Sequence, residues 1–490
     1  MATNWEVVVG LEVHVELSTE TKVWCSCKNE FGAPPNTNVC PVCLALPGSL
    51  PVLNATALEY IIKAGLAMNC SIARYSKFDR KNYFYPDSPS NYQISQLDLP
   101  VCENGYVEIT LRDGSIRRIR IKRIHLENDA GKLVHAGDDV AEGESSLVDY
   151  NRAGVPLIEI VTEPDLRSAE EAGVFLTKLR SIIKYCGVSD VKMEEGSMRC
   201  DVNTSVRPNG AEEYGTRSEL KNVNSFSAAM RGIEYEAKRH IAVLEAGGRI
   251  DQETRSWRDT KGISVVLRSK EDAEDYRYFP EPDLPPVVIT EVDVERIRAT
   301  LPELPDTIMH RLMNQYGLSA YDASIIVSEK EFAEWFSRTV ALAGAENAKA
   351  VANWQINELN RTMNARGLGP DQIPLTPDQL AGMLRLMEKG VISGKIAKTI
   401  FEKMVESGKD AEAIVREEGL SQVADEGELL KVAMEVVAAN PKVVEDWKSG
   451  KTAAAQFLVG QLMKATRGRA NPQLAVKLVT EALEKFTSQQ

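Results

Sequence analysis

Residues 9–43 constrain this chain more than any other stretch, because an alternating segment leads directly into four paired cysteines. Along 11–17 apolar and polar residues alternate, with Leu11, Val13, Val15 and Leu17 on one face and Glu12, His14 and Glu16 on the other. This period of two is typical of a strand with one buried face. We therefore predict a strand that presents carboxylates and an imidazole on the face away from the core.

The cysteines form two close pairs, Cys25-x-Cys27 and Cys40-x-x-Cys43, separated by twelve residues. Four thiolates in this arrangement suit a closed tetrahedral Zn²⁺ site, which would be structural because it leaves no position for a substrate. The alternative is four unrelated free thiols. The surrounding residues 18–53 are rich in Pro, Asn and Thr, and we predict a loop held by a small zinc knuckle.

The length of 490 residues predicts two to four domains. Apolar and turn residues predict an α+β unit up to about residue 295, with turns at 103–105 and 112–114 and an ordered functional loop over 74–100. Beyond it the pattern is helical, with helices predicted over 305–317, 321–343, 347–366, 376–388 and 395–406. The predicted domains are 1–295, 296–410 and a small helical tail over 411–490.

The composition is that of a soluble globular protein, without an apolar run of about 18 residues or a signal peptide, so we expect a cytoplasmic location. A net charge of −13 argues against global non-specific nucleic-acid binding but allows local basic faces. Two candidates are the strand-like stretch 117–123 and the tail residues Lys464, Arg467 and Arg469. For each, the alternative is an ordinary solvated face.

A carboxylate and an imidazole, Glu12 and His14, lie roughly 7 Å apart along one strand face, close enough to share an ion. Glu127 in HLENDAGK and Glu159 in PLIEIV also lie in strand-like contexts. Glu159 interrupts an apolar strand, and a buried carboxylate needs a partner that a metal ion can supply. The alternative is an exposed polar strand face. Neither a P-loop nor a GxSxG motif occurs, so metal-assisted chemistry is the stronger enzymatic hypothesis.

Ten ordered segments, spread over nearly the whole chain, closely resemble the B subunit of the aspartyl/glutamyl-tRNA amidotransferases. They are GLEVHVEL (10–17), KFDRKNYFYPD (77–87), YQISQ (92–96), HLENDAGK (125–132), DYNRAGVPLIEIVTEPD (149–165), SDVKMEEGSMRCDVN (189–203), ELKNVNSF (219–226), EDYRYFPEPD (274–283), ISGKIAK (392–398) and FLVGQLMKATRGRANP (457–472).

The resemblance implies a cradle-shaped mixed α/β catalytic domain, an all-α helical domain and a small helical tail that contacts tRNA. It also implies an ATP-dependent carbon–nitrogen ligase that uses glutamine as its amide donor. The B subunit would phosphorylate the side-chain carboxylate of Glu-tRNA(Gln), Asp-tRNA(Asn) or both. Ammonia from the amidase, the A subunit, would then displace phosphate. The implied assembly is a heterotrimer with the A subunit and a small C subunit, with neither membrane nor DNA as a partner.

The resemblance also assigns residues. Its Mg²⁺ ligands correspond to Glu12, His14, Glu127 and Glu159, which would also be the catalytic set. Some relatives carry a second acid at the position of Asn128, which leaves open whether position 127 or 128 faces the metal. The residues that would hold ATP phosphates or the acceptor end are Lys81, Lys192, Arg199 and Glu219, with structural ion pairs as the alternative. Relatives without the cysteines exist, which agrees with a structural Zn²⁺.

Two other classes of function remain as alternatives. One is a non-catalytic tRNA-binding or assembly subunit whose metal face is structural, and the other is a free-standing metallohydrolase. The first predicts that loss of Glu12 disturbs folding and tRNA binding together. The second predicts activity without tRNA or partner proteins.

Overall fold

The computed structural model describes residues 4–135, 145–269, 273–420, 426–449, 453–466, 470 and 472–488. The chain divides into two compact units, residues 1–305 and 306–490. The predicted further boundary at residue 410 stays a prediction. Among the described residues, no helix combines the length and apolar character required to cross a membrane.

A nine-stranded sheet organises the first unit. Its strand order is β14-β13-β12-β11-β1-β10-β7-β6-β2, antiparallel except for the parallel pair β12–β13. The strands are β1 (Trp5–Glu16), β2 (Ser71–Ile72), β6 (Cys102–Thr110), β7 (Ile116–Asn128), β10 (Pro156–Thr162), β11 (Met198–Pro208), β12 (Ser218–Val223), β13 (Glu253–Arg258) and β14 (Ile263–Ser269).

One face of the sheet is apolar and is covered by helices. Leu11, Val13 and Val15 are buried there as their alternation predicts, in one core with residues of α1 (Ala55–Ala67), α2 (Ala169–Cys186) and α3 (Phe226–Glu245). Each of these helices begins where an Asn or Ser side chain accepts a hydrogen bond from the first-turn backbone. The helices therefore fix the apolar face, and the polar side chains of β1 project from the opposite one.

A register shift between Val161 and Thr162 changes the alternation in the neighbouring strand β7. Ile119 and Ile121 face the core, and so does Ile124, three residues after Ile121. Since side chains of a regular strand alternate strictly, the shift transfers the later odd-numbered residues of β7 to the polar face. His125 and Glu127 reach that face for this reason.

The predicted functional loop over 74–100 contains short strands. They are β3 (Tyr75–Ser76), β4 (Asp79–Asn82) and β5 (Tyr92–Ser95), and they pair within small sheets that also contain β15 (Phe279–Pro280) and β16 (Val287–Val288). A further pair is β8 (Lys132–His135) with β9 (Ser146–Asp149).

One predicted turn is confirmed and one is wrong. Residues 111–115 form the hairpin between β6 and β7, with Gly114 at a φ of 82°. The predicted turn at 103–105 instead lies inside β6. A Cβ at Gly105 would lie 2.3 Å from the sulfur of Cys70, so this glycine permits close packing of the strand rather than a chain reversal.

The described part of the second unit is helical, as predicted. Its helices, together with α4 at the end of the first unit, are α4 (Glu291–Arg298), α5 (Pro305–Tyr316), α6 (Ala320–Ile326), α7 (Lys330–Ala343), α8 (Ala348–Asn353), a π-helical turn (Trp354–Leu359), α9 (Asn360–Arg366), α10 (Pro377–Glu388), α11 (Gly394–Ser407), α12 (Ala411–Glu418), α13 (Glu426–Ala438), α14 (Pro441–Lys448), α15 (Ala453–Ala465) and α16 (Pro472–Ser488).

The single helix predicted over 321–343 is wrong, since α6 ends at Ile326 and α7 begins at Lys330. Apolar spacing continues across the break, so periodicity alone did not reveal it. The helices α13 to α16 enclose an apolar cluster that includes Leu429, Leu458 and Leu478.

Candidate active site and zinc centre

Polar side chains from three adjacent strands meet in one row on the open face of the large sheet. His14 on β1 lies opposite Glu159 on β10, and Glu159 lies opposite His125 on β7. Glu127 follows two residues after His125 and therefore projects from the same face. The row joins residues more than a hundred positions apart in the chain.

The two carboxylates and the two imidazoles are within contact distance. Nε2 of His14 lies 3.4 Å from Glu159 and 3.9 Å from Glu127. Nε2 of His125 lies 3.3 Å from Glu159 and 3.4 Å from Glu127. Each imidazole therefore faces both acids, and the donor atoms of His14, Glu127 and Glu159 lie within 4.8 Å of one another.

These contacts set the pKa values of the cluster. Burial alone would lower the pKa of His125, but the charges of Glu159 and Glu127 and their hydrogen bonds raise it to about 9. The pKa of His14 is raised in the same way, against its own burial, chiefly by Glu159. Burial favours the neutral form of both acids, yet the neighbouring imidazoles hold the pKa of Glu159 well below its ordinary value. The cluster thus favours positive charge between two ionised carboxylates.

This donor set fits a divalent cation. Two carboxylates and neutral imidazole nitrogens are ligands that Mg²⁺, Mn²⁺ and Zn²⁺ accept, and a cation at their centre would supply the positive charge that the acids require. His14, Glu127 and Glu159 are the residues that would hold it. Among the described residues Nδ1 of His125 has no hydrogen-bond partner, so His125 reaches the cluster only through Nε2.

Glu12 and Asn128 lie outside this group of donor atoms. Glu12 is on the same face of β1, where it accepts a hydrogen bond of 2.9 Å from the side-chain amide of Asn203. The side chain of Asn128 points elsewhere and accepts hydrogen bonds from the Trp24 indole and the Ile94 backbone. In this chain Glu127, rather than position 128, faces the cluster. The role of Glu12 as a ligand stays a prediction.

A cavity of about 330 Å³ opens over the cluster and carries three cations. Lys81 and Arg199, both predicted from the sequence, line it together with Lys221, which sequence reasoning missed. Lys221 lies 2.9 Å from Asp201 and 3.4 Å from Glu219, so the predicted residue Glu219 does not line the cavity itself but pairs with a lysine that does. Arg199 is held by Asp129 at 2.5 Å.

Lys192, the remaining predicted phosphate-binding residue, is not among the residues that line this cavity. Its ammonium lies 2.8 Å from Glu195 and 3.8 Å from Asp190. These are partly exposed ion pairs, the alternative that the sequence left open.

The four sulfurs of Cys25, Cys27, Cys40 and Cys43 also lie within 4.8 Å of one another. The Sγ atom of Cys43 is 3.9 Å from that of Cys40 and 4.0 Å from that of Cys27. A tetrahedral Zn²⁺ with bonds of about 2.3 Å separates its sulfurs by about 3.8 Å, so the set fits zinc. The ion would supply structural cross-linking of this loop.

Among these thiols Cys43 favours the thiolate form, whereas a hydrogen bond to Cys43 and burial raise the pKa of Cys25, and burial raises the pKa of Cys27 to about 11. A hydrogen bond from Cys25, the backbone N–H of Cys40 and the charge of Lys22 together lower the pKa of Cys43 to about 5, against the effect of burial. Lys22 is fully buried and donates to backbone oxygens of Asn38 and Tyr150. The loop is thus tied to residues far along the chain around a sulfur that favours the thiolate form.

The basic stretch 117–123 is largely neutralised within the fold. Arg118 forms an ion pair with Glu108 at 2.8 Å, and Arg120 forms one with Asp165 at 2.7 Å. The predicted alternation is confirmed, since Ile119 and Ile121 are buried, but the basic face is not a free cationic surface. In the tail, Lys464 lies in the last turn of α15, whereas Arg467 and Arg469 lie outside the described residues.

Two protein families match most of this chain. The family described as the GatB/GatE catalytic domain matches residues 7–295, which contain both clusters, and a second family, described as the GatB domain, matches residues 334–483. The chain is 76% identical over 482 residues to the B subunit of the aspartyl/glutamyl-tRNA(Asn/Gln) amidotransferase of Symbiobacterium thermophilum, a match that covers 98% of each chain.

It is also 58% identical to the corresponding B subunit of Carboxydothermus hydrogenoformans, over 99% of this chain and 100% of the relative. The identity to the B subunit of Moorella thermoacetica is 55%, over 98% of this chain and 100% of the relative. The chain belongs to the family of aspartyl/glutamyl-tRNA(Asn/Gln) amidotransferase B subunits. The resemblance found in the sequence is therefore confirmed.

Proposed function

We propose that this protein is the kinase and amidation subunit of a tRNA-dependent amidotransferase. It would use ATP to phosphorylate the side-chain carboxylate of Glu-tRNA(Gln), Asp-tRNA(Asn) or both, and the activated acyl group would then react with ammonia. The observation that carries the proposal is the row His14–Glu159–His125 with Glu127, next to the cations of Lys81, Arg199 and Lys221.

Phosphoryl transfer needs positive charge around the transferred group, because negative charge is spread over its oxygens as the bond to ADP breaks. Lys81, Arg199 and Lys221 line one cavity, together with Asp129 and Asp201, the acids that pair with Arg199 and Lys221, and these cations would supply such charge to bound phosphates. A Mg²⁺ ion held by His14, Glu127 and Glu159 would add charge neutralisation at the same phosphates. The carboxylates of the cluster would thus hold the metal ion, and the cations of the cavity would bind the phosphates directly.

The reaction balances in two steps. A carboxylate oxygen of the aminoacyl group attacks the γ-phosphorus of ATP, and ADP leaves. Ammonia then attacks the acyl carbon, phosphate leaves, and a proton is lost to give the amide. We propose that an amidase, the A subunit, supplies the ammonia from glutamine and that a small C subunit makes up a heterotrimer in the cytoplasm.

Three further features belong to this proposal. The helical tail, with Lys464 and neighbouring basic residues, would contact the tRNA backbone, where Lys and Arg bind phosphate without regard to sequence. The cysteine centre would hold a structural Zn²⁺ outside the reaction. Glu12, on the same sheet face, would assist the Mg²⁺ site, and Glu219 would position Lys221.

The test is ATP hydrolysis by the purified heterotrimer at fixed Mg²⁺, with and without Glu-tRNA(Gln) or Asp-tRNA(Asn). We expect hydrolysis only with charged tRNA. Glu159→Gln should reduce it about 10³-fold, since the variant removes one of two carboxylates that define the cation site. Binding of tRNA should change less than about twofold.

Glu108→Gln provides the control, because Glu108 is a strand carboxylate outside the cluster that pairs with Arg118. This variant should retain full activity. If charged tRNA does not stimulate hydrolysis while tRNA still binds, a role in tRNA binding or assembly is the better hypothesis. Hydrolysis that needs neither tRNA nor partners would instead indicate a metallohydrolase.

A further inference from the structure

Two large aromatic side chains stand in solvent beside the active-site cavity. Phe84 is 70% exposed and Tyr85 is 54% exposed. They are the second and third residues after β4, the strand that carries Lys81. Exposed aromatic rings grouped at a cavity, rather than scattered singly, mark a binding surface.

The strand that precedes these rings is held by its neighbours. Strand β15 pairs with β4, with Phe279 opposite Arg80. Arg80 forms two hydrogen bonds, of 2.7 and 2.9 Å, with the buried carboxylate of Glu281. The side-chain amide of Asn82 donates to the backbone oxygen of Arg277 at 2.9 Å. The rings therefore lie on a turn that follows a held strand, and this turn is closed by backbone hydrogen bonds from Tyr83 to Asn91 at 3.2 Å and from Ser88 to Tyr85 at 3.0 Å.

The aromatic residues form a connected group. The ring of Tyr83 lies 6.2 Å from that of Tyr85 and 6.5 Å from that of Tyr276, measured between centroids. The guanidinium of Arg277 lies 5.6 Å from the centroid of Phe84. Arg277 has a φ of 47°, a left-handed conformation that a non-glycine residue adopts at a cost and that often occurs at functional sites.

This group lines a cavity of about 880 Å³ that is large enough for a nucleotide. Lys81, Tyr83, Ala130 and Lys221 line both this cavity and the one over the His14–Glu127–Glu159 cluster. The cavity lined by the aromatic rings is thus continuous with the cavity lined by the cations. A ligand with a flat apolar end and an anionic end would match this polarity.

We propose that Phe84, Tyr85 and Arg277 form a stacking platform for a purine base whose phosphates point toward Lys81 and Lys221. Bases stack on aromatic rings and guanidinium planes without requiring a particular sequence. The same chemistry occurs in two candidate ligands, the adenine of ATP and the unpaired 3′-terminal base of tRNA. The inference rests on the proposed function for its choice of ligand, but the platform is testable without turnover.

The experiment measures the affinity of the full-length chain for two probes, ADP with Mg²⁺ and a short single-stranded RNA that ends in CCA. Phe84→Leu keeps an apolar side chain but removes the ring, and Phe84→Trp restores an aromatic surface. Phe31→Leu is the matched control, because Phe31 is also 70% exposed but lies in the cysteine loop.

We expect Phe84→Leu to weaken one probe about five- to tenfold, as the loss of one base–ring stack predicts, with affinity regained in Phe84→Trp. Phe31→Leu should change neither. Weaker ADP binding would assign the platform to the adenine of ATP, and weaker RNA binding would assign it to the tRNA end. If the RNA end is the occupant, a fluorescent 2-aminopurine at the 3′ end of the RNA should be quenched by stacking in the wild type and less in Phe84→Leu.

The proposal is overturned if Phe84→Leu binds both probes as the wild type does, or if Phe31→Leu weakens them equally. If the proposed function is wrong but the platform is right, the two experiments give opposite results. In that case charged tRNA would not stimulate ATP hydrolysis, while ring-dependent binding of a probe would persist.

Discussion

The two candidate metal centres of this protein are built in opposite ways. The four cysteines of the zinc centre lie within nineteen residues, in a loop that has almost no regular structure. The acid–histidine cluster takes His14, His125, Glu127 and Glu159 from three strands of one sheet. The first depends on local spacing, and the second depends on strand register.

This difference determines what a sequence reveals and what a mutation should do. Two close cysteine pairs predict their own geometry, because the short connections leave the thiols few other arrangements. The strand cluster exists only after the sheet has formed. Loss of a cysteine should therefore act mainly on stability, and loss of a cluster residue mainly on chemistry.

The largest effect should follow from His125→Asn. Nε2 of His125 is 3.3 Å from Glu159 and 3.4 Å from Glu127, so the variant leaves two buried carboxylates with less compensating charge. We expect charged-tRNA-dependent ATP hydrolysis to fall about 10³-fold and its Mg²⁺ requirement to rise.

His310→Asn is the control for His125, since His310 is exposed on α5 in the second unit. It should retain wild-type activity. Should His125→Asn keep full activity at low Mg²⁺, the row of strand residues would not be the functional unit that we propose.

Cys40→Ser should act mainly on stability. With one of four thiolates lost, the chain should lose bound zinc, and its free energy of unfolding should fall by about 3–4 kcal/mol. Zinc content by elemental analysis and urea unfolding test this. Cys70→Ala, a buried cysteine outside the centre, should keep one zinc per chain. Unchanged zinc in Cys40→Ser would contradict a four-cysteine site.

A third polar cluster lies around Glu236, outside both candidate metal centres. We expect it to contribute to stability and not to the reaction. Glu236 is fully buried on α3, where it accepts hydrogen bonds from Arg239 and Ser264 and faces His240. Burial would raise the pKa of Glu236, but these partners lower it to about 2. Its stabilisation is therefore complete above about pH 4.5 and is lost as the pH falls toward 2.

Glu236→Gln should lower the free energy of unfolding by about 2–3 kcal/mol at pH 7, with a smaller difference from wild type at pH 3. The properly folded variant should retain the Mg²⁺ dependence of ATP hydrolysis. Glu234→Gln, an exposed position on the same helix, serves as the control in urea titrations at both pH values. A difference that is equal at pH 7 and pH 3 would contradict the lowered pKa.

The smallest effect should follow from Lys192→Ala. Its ion pairs with Glu195 and Asp190 are partly exposed, and such pairs contribute about 0–1 kcal/mol. We expect the Michaelis constant for ATP to change less than twofold, whereas Arg199→Ala, at the cavity, should raise it at least about tenfold. If the Michaelis constant for ATP rose equally in the two variants, Lys192 would have to be counted among the phosphate-binding residues.

The sequence predicted β1, the polar face of Glu12 and His14, the cysteine centre and the helical character of the second unit. It did not predict His125, although His125 and Glu127 have the same two-residue spacing as Glu12 and His14. Continued through β7, the alternation places His125 on the same face as Ile119 and Ile121, which are buried in the core. The register shift beside Val161 reverses that assignment.

By itself, the sequence determined the features that depend on near neighbours along the chain. Alternation defined the two faces of β1, and spacing grouped Cys25, Cys27, Cys40 and Cys43. Tertiary structure decided which strands lie side by side, and so placed Glu159 between His14 and His125 and brought Lys221 to the cavity of Lys81 and Arg199. Strand order and register are set by packing across the whole sheet, which no local pattern contains.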